Sequence, residues 1–530
     1  MLFYKRAGKQ FSHVFQPKVH KYAKEEKMKI KSLFRNSFFS LLSQVVLLIF
    51  GFLSQRAMNL YMGSELVGMN GIISNVISIL SVTELGISTA IVYHLYSALA
   101  RNDEDEIAAL MNLYRKAYYL FAAVILAIGA PLTPFIHLFM KNDTYSLGYI
   151  RILYLLWLLR SVASYPLAYK RSLLIADQKE YIVSVVTMLA NVFNYSAVII
   201  FVVLTGRYLP ALGLSIVAEV GLNLWVSQYV DRKYTFLKKK KKETPPREII
   251  DKILSDLKNV FASKLSLNLL NCTDNLIISG FISVVTVGLF SNYCLVTRSI
   301  SNIVRALSKS IQPTIGHLFV EDDKEKDCNA LRQVTFLFFC IMSIAACGLY
   351  ALIDPFVCDI WLGESFVLER PVVLMAIITF FVQGMGFPLE IVMGVSGLFR
   401  QERNLSIITA VVNLVVSLAL AVPLGVTGVL LGTLLSYSIQ IVYRIVVFFK
   451  IYAGASCRRY VLDFVEYGVL AAIQMMAASL VTGVLYDRSL GTFVLSGAAC
   501  IIISVGINAV VFCNSWRMKS IARLVQSLRR

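Results

Sequence analysis

Residues 258–312 read KNVFASKLSLNLLNCTDNLIISGFISVVTVGLFSNYCLVTRSISNIVRALSKSIQ. Two apolar runs meet at a very short turn near residues 282–284, and each carries polar groups along one side. In the first, Lys264, Asn268, Asn271 and Asn275 recur at spacings of four, three and four, the helical period. In the second, Arg298, Asn302, Arg305, Lys309 and Gln312 repeat the pattern. A basic side chain at the centre of a bilayer costs roughly 2.5–3.5 kcal/mol. The stripes are therefore expected to face a wet, protein-walled cavity, and cations on its wall suggest an anionic passenger.

The bilayer follows from composition. Of 530 residues, 57% are hydrophobic and 16% charged, with mean hydropathy +0.68, as in a polytopic membrane protein rather than soluble domains. The net charge of +19 does not point to nucleic acid, because the basic residues lie between apolar spans. The first 35 residues are basic and lack the apolar stretch of a cleavable signal. They read as a cytoplasmic arm, either lying on anionic membrane lipid or simply solvated. Nine scattered cysteines without a CxxC pair read as apolar fillers. Five isolated histidines give no metal site, and no catalytic group stands out.

Outward from 258–312, fourteen spans of about the 20 residues a bilayer needs can be placed, near 36–60, 72–98, 117–140, 149–170, 182–204, 211–231, 259–281, 285–308, 332–354, 371–394, 405–423, 426–448, 464–485 and 490–513. With the N-terminus inside, 40 of the 51 Lys and Arg fall in inner segments, 4 in outer loops and 7 within spans. That asymmetry places both termini in the cytoplasm. The expected fold is an all-α membrane protein of two six-helix bundles plus two C-terminal helices. Its parts are a basic arm (1–34), an N-lobe (35–231), a basic linker (232–257), a C-lobe (258–450) and a final segment (451–530). The lobes read as repeats about 220 residues apart. Arg35-Asn36-Ser37-Phe38 is echoed by Lys258-Asn259-Val260-Phe261, Val67-Gly68-Met69 by Val287-Gly288-Leu289, and Thr187 to Asn191 by Thr409 to Asn413.

Residues 61–71, Tyr-Met-Gly-Ser-Glu-Leu-Val-Gly-Met-Asn-Gly, resemble the segment after the first helix of Wzx-type polysaccharide flippases, in the multidrug/oligosaccharidyl-lipid/polysaccharide exporter superfamily. Glu84-Leu85-Gly86-Ile87 is similar to that family's acidic-x-Gly step, with Glu where Asp is common. Ala176-Asp177-Gln178-Lys179 and Asn191 also fit, and the resemblance covers about residues 35–450. It implies two bundles around a central cleft, alternating access, and passage of an undecaprenyl-pyrophosphate-linked oligosaccharide to the outer leaflet for surface polysaccharide synthesis. The localisation implied is the bacterial cytoplasmic membrane. Implied partners are the lipid-linked oligosaccharide, membrane lipids, and the polymerase and glycosyltransferases of the same route.

The in-span cations are Arg56, Arg151, Arg160, Lys264, Arg298, Arg305 and Arg444; the acids are Glu84, Glu219, Asp274 and Glu390. Arg151 and Arg444, near span ends, are expected to snorkel. Arg160, Lys264, Arg298 and Arg305 lie deeper, and the guanidinium fork suits phosphate oxygens. The plainer alternative is that they pair with Glu84 or Asp274 and only brace the bundle. Asn268, Asn271, Asn275 and Asn302 either meet sugar hydroxyls or bond between helices. Glu84, on a stripe with Ser74, Ser81 and Ser88, and Asp274 are candidates for coupling or counter-ion roles; a proton, sodium or the membrane potential remain open, and no cofactor is expected. Asp103 to Glu106 reads as a solvated helix start. Three rivals stand beside the flippase reading: a peptidoglycan-precursor flippase, a multidrug or cation antiporter, and a membrane-embedded polysaccharide polymerase. An antiporter cleft should be acid-dominated, and the outer loops are short for a polymerase.

Overall fold

The computed structural model describes residues 2–81, 87–140, 144–239, 245–319 and 323–518; the side chains of 2–35, of 254–264 and of isolated positions such as Asn271 lie outside that description. Among the described residues every regular element is helical. In chain order these are α1 (Leu2–Leu80), α2 (Ile87–Arg101), α3 (Glu104–Leu132), α4 (Leu147–Ala176), α5 (Glu180–Thr205), α6 (Leu209–Lys233) and the short α7 (Phe236–Lys239). The second half holds α8 (Arg247–Phe281), α9 (Val284–Phe319), α10 (Lys324–Pro355), α11 (Arg370–Met385), α12 (Phe387–Val395), α13 (Phe399–Val446), α14 (Arg458–Leu485) and α15 (Leu490–Phe512).

Among the described residues ten helical runs are long and apolar enough to cross a membrane. Two of them are double crossings: α1 reverses at Gly63 and α13 at Gly425, both with positive φ that a side chain disfavours. The polar-striped α8 and α9, of 35 and 36 residues, complete a fourteen-crossing plan in which α11 and α12 share one crossing. Large apolar side chains such as Leu204, Val422 and Leu480 stand exposed on the outside of the bundle, as lipid-facing groups do. The face where α1 enters and α15 leaves is called here the terminal face, and the other the opposite face.

The repeat is visible in backbone geometry. Left-handed residues fall at Gln178 and Gly397, and again at Gly206 and Gly425, each pair 219 positions apart. The Asn36 side chain explains one motif: its amide donates to the Gln178 carbonyl (3.0 Å) and its oxygen accepts from the Tyr181 backbone N–H (3.1 Å), fixing the turn between α4 and α5.

Several boundaries differ from the sequence reading. Residues 61–71 are not an outer loop, since helix resumes directly after Gly63. The linker expected at 232–257 is shorter, because α6 continues to Lys233 and α8 begins at Arg247. Asp103 caps α3, its carboxylate accepting from the Glu106 N–H at 3.0 Å. α14 and α15 lie against α10 and are held by polar contacts rather than apolar area alone. Gln474 donates to Asn508 (2.8 Å), Asn508 to Ser343 (3.3 Å), and Asp463 takes both Arg332 and Arg517.

The lobes meet through α1, α8 and α9. A Cβ on Gly68 would lie 2.0 Å from the Val284 carbonyl oxygen, and one on Gly288 would lie 1.8 Å from that of Ser64. Both glycine and carbonyl partners are 220 positions apart, so the crossing is a pseudo-two-fold contact near the opposite face. Beside it Asn59 donates to Asn292 (2.8 Å), Asn292 donates back (3.3 Å), and Gln55 adds a third bond (3.0 Å). Further toward the middle, Asn75 donates to the Cys272 carbonyl (3.3 Å) and Asn268 to that of Ser78 (2.8 Å).

Candidate functional site

Two cavities flank the middle of α9. One, about 640 Å³, extends into the C-lobe between α8, α9, α11, α12 and α13. The other, about 450 Å³, extends into the N-lobe between α1, α4, α5 and α9. Asn275, Cys294, Arg298 and Asn302 line both, so one edge of α9 forms the wall where the cavities join. Helical period is the reason: Cys294, Arg298 and Asn302 are successive fourth residues, and Arg305 follows on the same face. Lys309 and Gln312 continue that face, exposed, toward the terminal face.

The charges are more evenly matched than a basic stripe suggests. Arg160 donates to Glu219 at 3.0 Å, with its guanidinium 5.4 Å from the Trp157 ring centre. Arg305 lies 3.8 Å from Glu390 and 4.7 Å from the Phe387 ring centre, and both charged groups are about half exposed. Among the described residues neither pairs with Asp274, one partner the sequence suggested; Glu84, the other, lies outside the described residues. Arg444 does not snorkel: its side chain is 7% exposed and doubly bonded to Glu402. Arg298 is exposed to the junction and has no ion-pair partner among the described residues. Among the described arginines of the cleft it is the one left available.

Asp274 faces the C-lobe cavity and accepts from the Thr433 hydroxyl (2.9 Å). Asn413 donates to Thr433 (2.9 Å) and accepts from Thr273 (3.0 Å), so both arms of α13 meet α8 at this carboxylate. Asn275 and Asn302 line both cavities; Asn268 lines the C-lobe cavity while its amide bridges the lobes. Glu84 and the side chains of Lys264 and Asn271 lie outside the described residues. Sequence reasoning missed the N-lobe wall, where Trp157 donates to Asn70 (2.9 Å) beside Asn194, Tyr195 and Tyr208. The available signal was that Trp157 precedes Arg160 by three residues, on the same helical face.

The chain folds as known flippases and exporters do. It aligns with the lipid II flippase MurJ in its inward closed conformation at TM-score 0.67 and 13% identity, over 90% of this chain and 99% of that one. A multidrug resistance MATE family transporter of the MOP superfamily, in an inward-facing conformation, aligns at TM-score 0.60 and 14% identity, over 79% of this chain and 98% of that one. A Vibrio cholerae MATE transporter, VcmN, aligns at 0.57 and 15%, over 80% and 97%. No curated protein matches by sequence. The fold thus defines a multi-pass membrane protein with the architecture of MOP-superfamily transporters. By sequence, the model of the polysaccharide biosynthesis protein family matches residues 19–319, and the chain belongs to that family.

Proposed function

We propose that this protein is a flippase moving undecaprenyl-pyrophosphate-linked oligosaccharide across the bacterial cytoplasmic membrane by alternating access, for surface polysaccharide assembly. The observation that carries the reading is Arg298, a guanidinium with no ion-pair partner among the described residues, where the two cavities join. A buried cation costs too much to leave unoccupied in lipid, whereas in a wet cleft it is a ready fork for phosphate oxygens. Arg305, about two turns along the same face, gives a second contact once its long, half-exposed pair with Glu390 opens. Family membership supports the polysaccharide route, and the likeness to a lipid II flippase supports the lipid-linked class. The drug-antiporter reading is weaker, because Glu219, Glu390 and Glu402 are each engaged by an arginine.

Asp274 is the acid we assign to coupling. Hydroxyl and amide groups surround it, with no cation within ion-pair distance among the described residues, an arrangement suited to exchanging a proton or a sodium ion. The test is complementation of surface polysaccharide in a strain lacking its flippase, with membrane protein quantified. Arg298→Ala should abolish polymer at normal protein levels, and Arg298→Lys should restore part of it. Asp274→Asn should slow transport and remove its dependence on the coupling ion. Full polymer from Arg298→Ala would sink the anionic-passenger reading.

A further inference from the structure

We propose that the N-lobe cavity is a saccharide subsite, holding the neutral sugars nearest the pyrophosphate while Arg298 holds the anionic linkage; this rests on the flippase reading above. The two cavities differ in chemistry. Asp274, Glu390 and Glu402 line the C-lobe cavity, whereas among the described residues no carboxylate lines the N-lobe one. Instead it offers aromatic surface, from Trp157, Tyr195 and Tyr208, and amides, from Gln55, Asn70 and Asn194. Sugar rings present apolar C–H faces that lie against aromatic rings and hydroxyls that bond to amides, so this wall matches a neutral pyranose.

The polar groups are fixed before any ligand arrives. Trp157 is held by its indole bond to Asn70 (2.9 Å), Asn194 by the Ser215 hydroxyl, and Gln55 by Asn292 (3.0 Å). Arg160 spends its Nε on Glu219, and its two terminal nitrogens have no partner among the described residues. That pairing cancels the net charge and leaves N–H donors for hydroxyl oxygens. The volume of about 450 Å³ lies within the 300–1,000 Å³ usual for small-ligand sites. Arg298 and Asn302, shared by both cavities, place the anionic linkage at the mouth of this one. The proposal thus divides the labour: sugars on the N-lobe, coupling in the C-lobe, phosphate between.

The test uses the full chain in detergent and compares two kinds of probe by equilibrium binding. One is undecaprenyl pyrophosphate alone; the others carry a single glucose, galactose or N-acetylglucosamine. Wild type should bind at least one sugar-bearing probe more tightly than the bare lipid. Trp157→Ala and Tyr195→Ala should each cost that probe up to about tenfold while leaving the bare lipid unchanged. Tyr195→Phe keeps the ring and should keep most of the gain, which a loss of folding would not allow. If no sugar-bearing probe is favoured, or the aromatic variants keep its advantage, the subsite is wrong. If Arg298→Ala leaves the bare lipid bound as before, the pyrophosphate reading fails as well, so the two failures are distinguishable.

Discussion

Each arginine in the cleft has a different environment, and the environments predict different phenotypes. Arg444 is buried and doubly bonded to Glu402, so removing it leaves a largely buried carboxylate without its partner. Breaking such a pair costs roughly 3–5 kcal/mol. Arg305 and Glu390 meet at 3.8 Å, half exposed, and an exposed pair contributes about 0–1 kcal/mol. Arg444→Ala should therefore lower the amount of folded protein, measured by thermal stability in detergent, whereas Arg305→Ala should leave stability unchanged and reduce transport. Equal destabilisation by both would show that Arg305 is a brace. The sequence displayed the face bearing Arg298, Asn302 and Arg305, because helical spacing is a local property. It did not display the partners Glu219 and Glu390, because pairing between helices depends on packing, which no spacing within one helix encodes.

At the scale of elements, glycine shows where the sequence was legible and where it was not. The pairing of Gly68 with Gly288 was visible as a repeat, yet residues 61–71 read as a loop because glycine and polar residues usually mark turns. Gly63 does make the turn, but Gly68 lies inside a helix and serves close approach. No Cβ fits at 1.8 Å from a backbone oxygen, so Gly288→Ala must push α9 away from α1. The crossing and the adjacent Asn59–Asn292 bonds hold the lobes together near the opposite face. A cysteine replacing fully buried Val287 should then react faster with a thiol reagent in a Gly288→Ala background than in a Gly288 one. Unchanged reactivity would mean that this crossing does not hold the opposite face shut. Twelve of the fourteen crossings were legible as long apolar runs, and α8 and α9 by polar stripes at helical spacing, signals that need no tertiary information.

For the whole molecule, the remaining question is which face looks into the cell. The fold alone does not decide it, since a fourteen-crossing bundle can be drawn either way up. The basic residues give an expectation: by sequence, 40 of 51 fall in the segments expected inside and 4 in the expected outer loops. Insertion retains Lys and Arg on the cytoplasmic side, so the terminal face should be cytoplasmic. The lobes are joined near the opposite face, so with the terminal face inside the Gly68–Gly288 crossing lies on the outer side. Thr144 and Ser456 are exposed loop positions on opposite faces. In a background from which the nine native cysteines have been removed, Thr144→Cys should react with an impermeant thiol reagent added to intact cells, and Ser456→Cys should react only after lysis. Labelling of Ser456→Cys from outside would invert the molecule. It would also place the Gly68–Gly288 crossing on the cytoplasmic side, where a flippase has to admit its lipid-linked passenger.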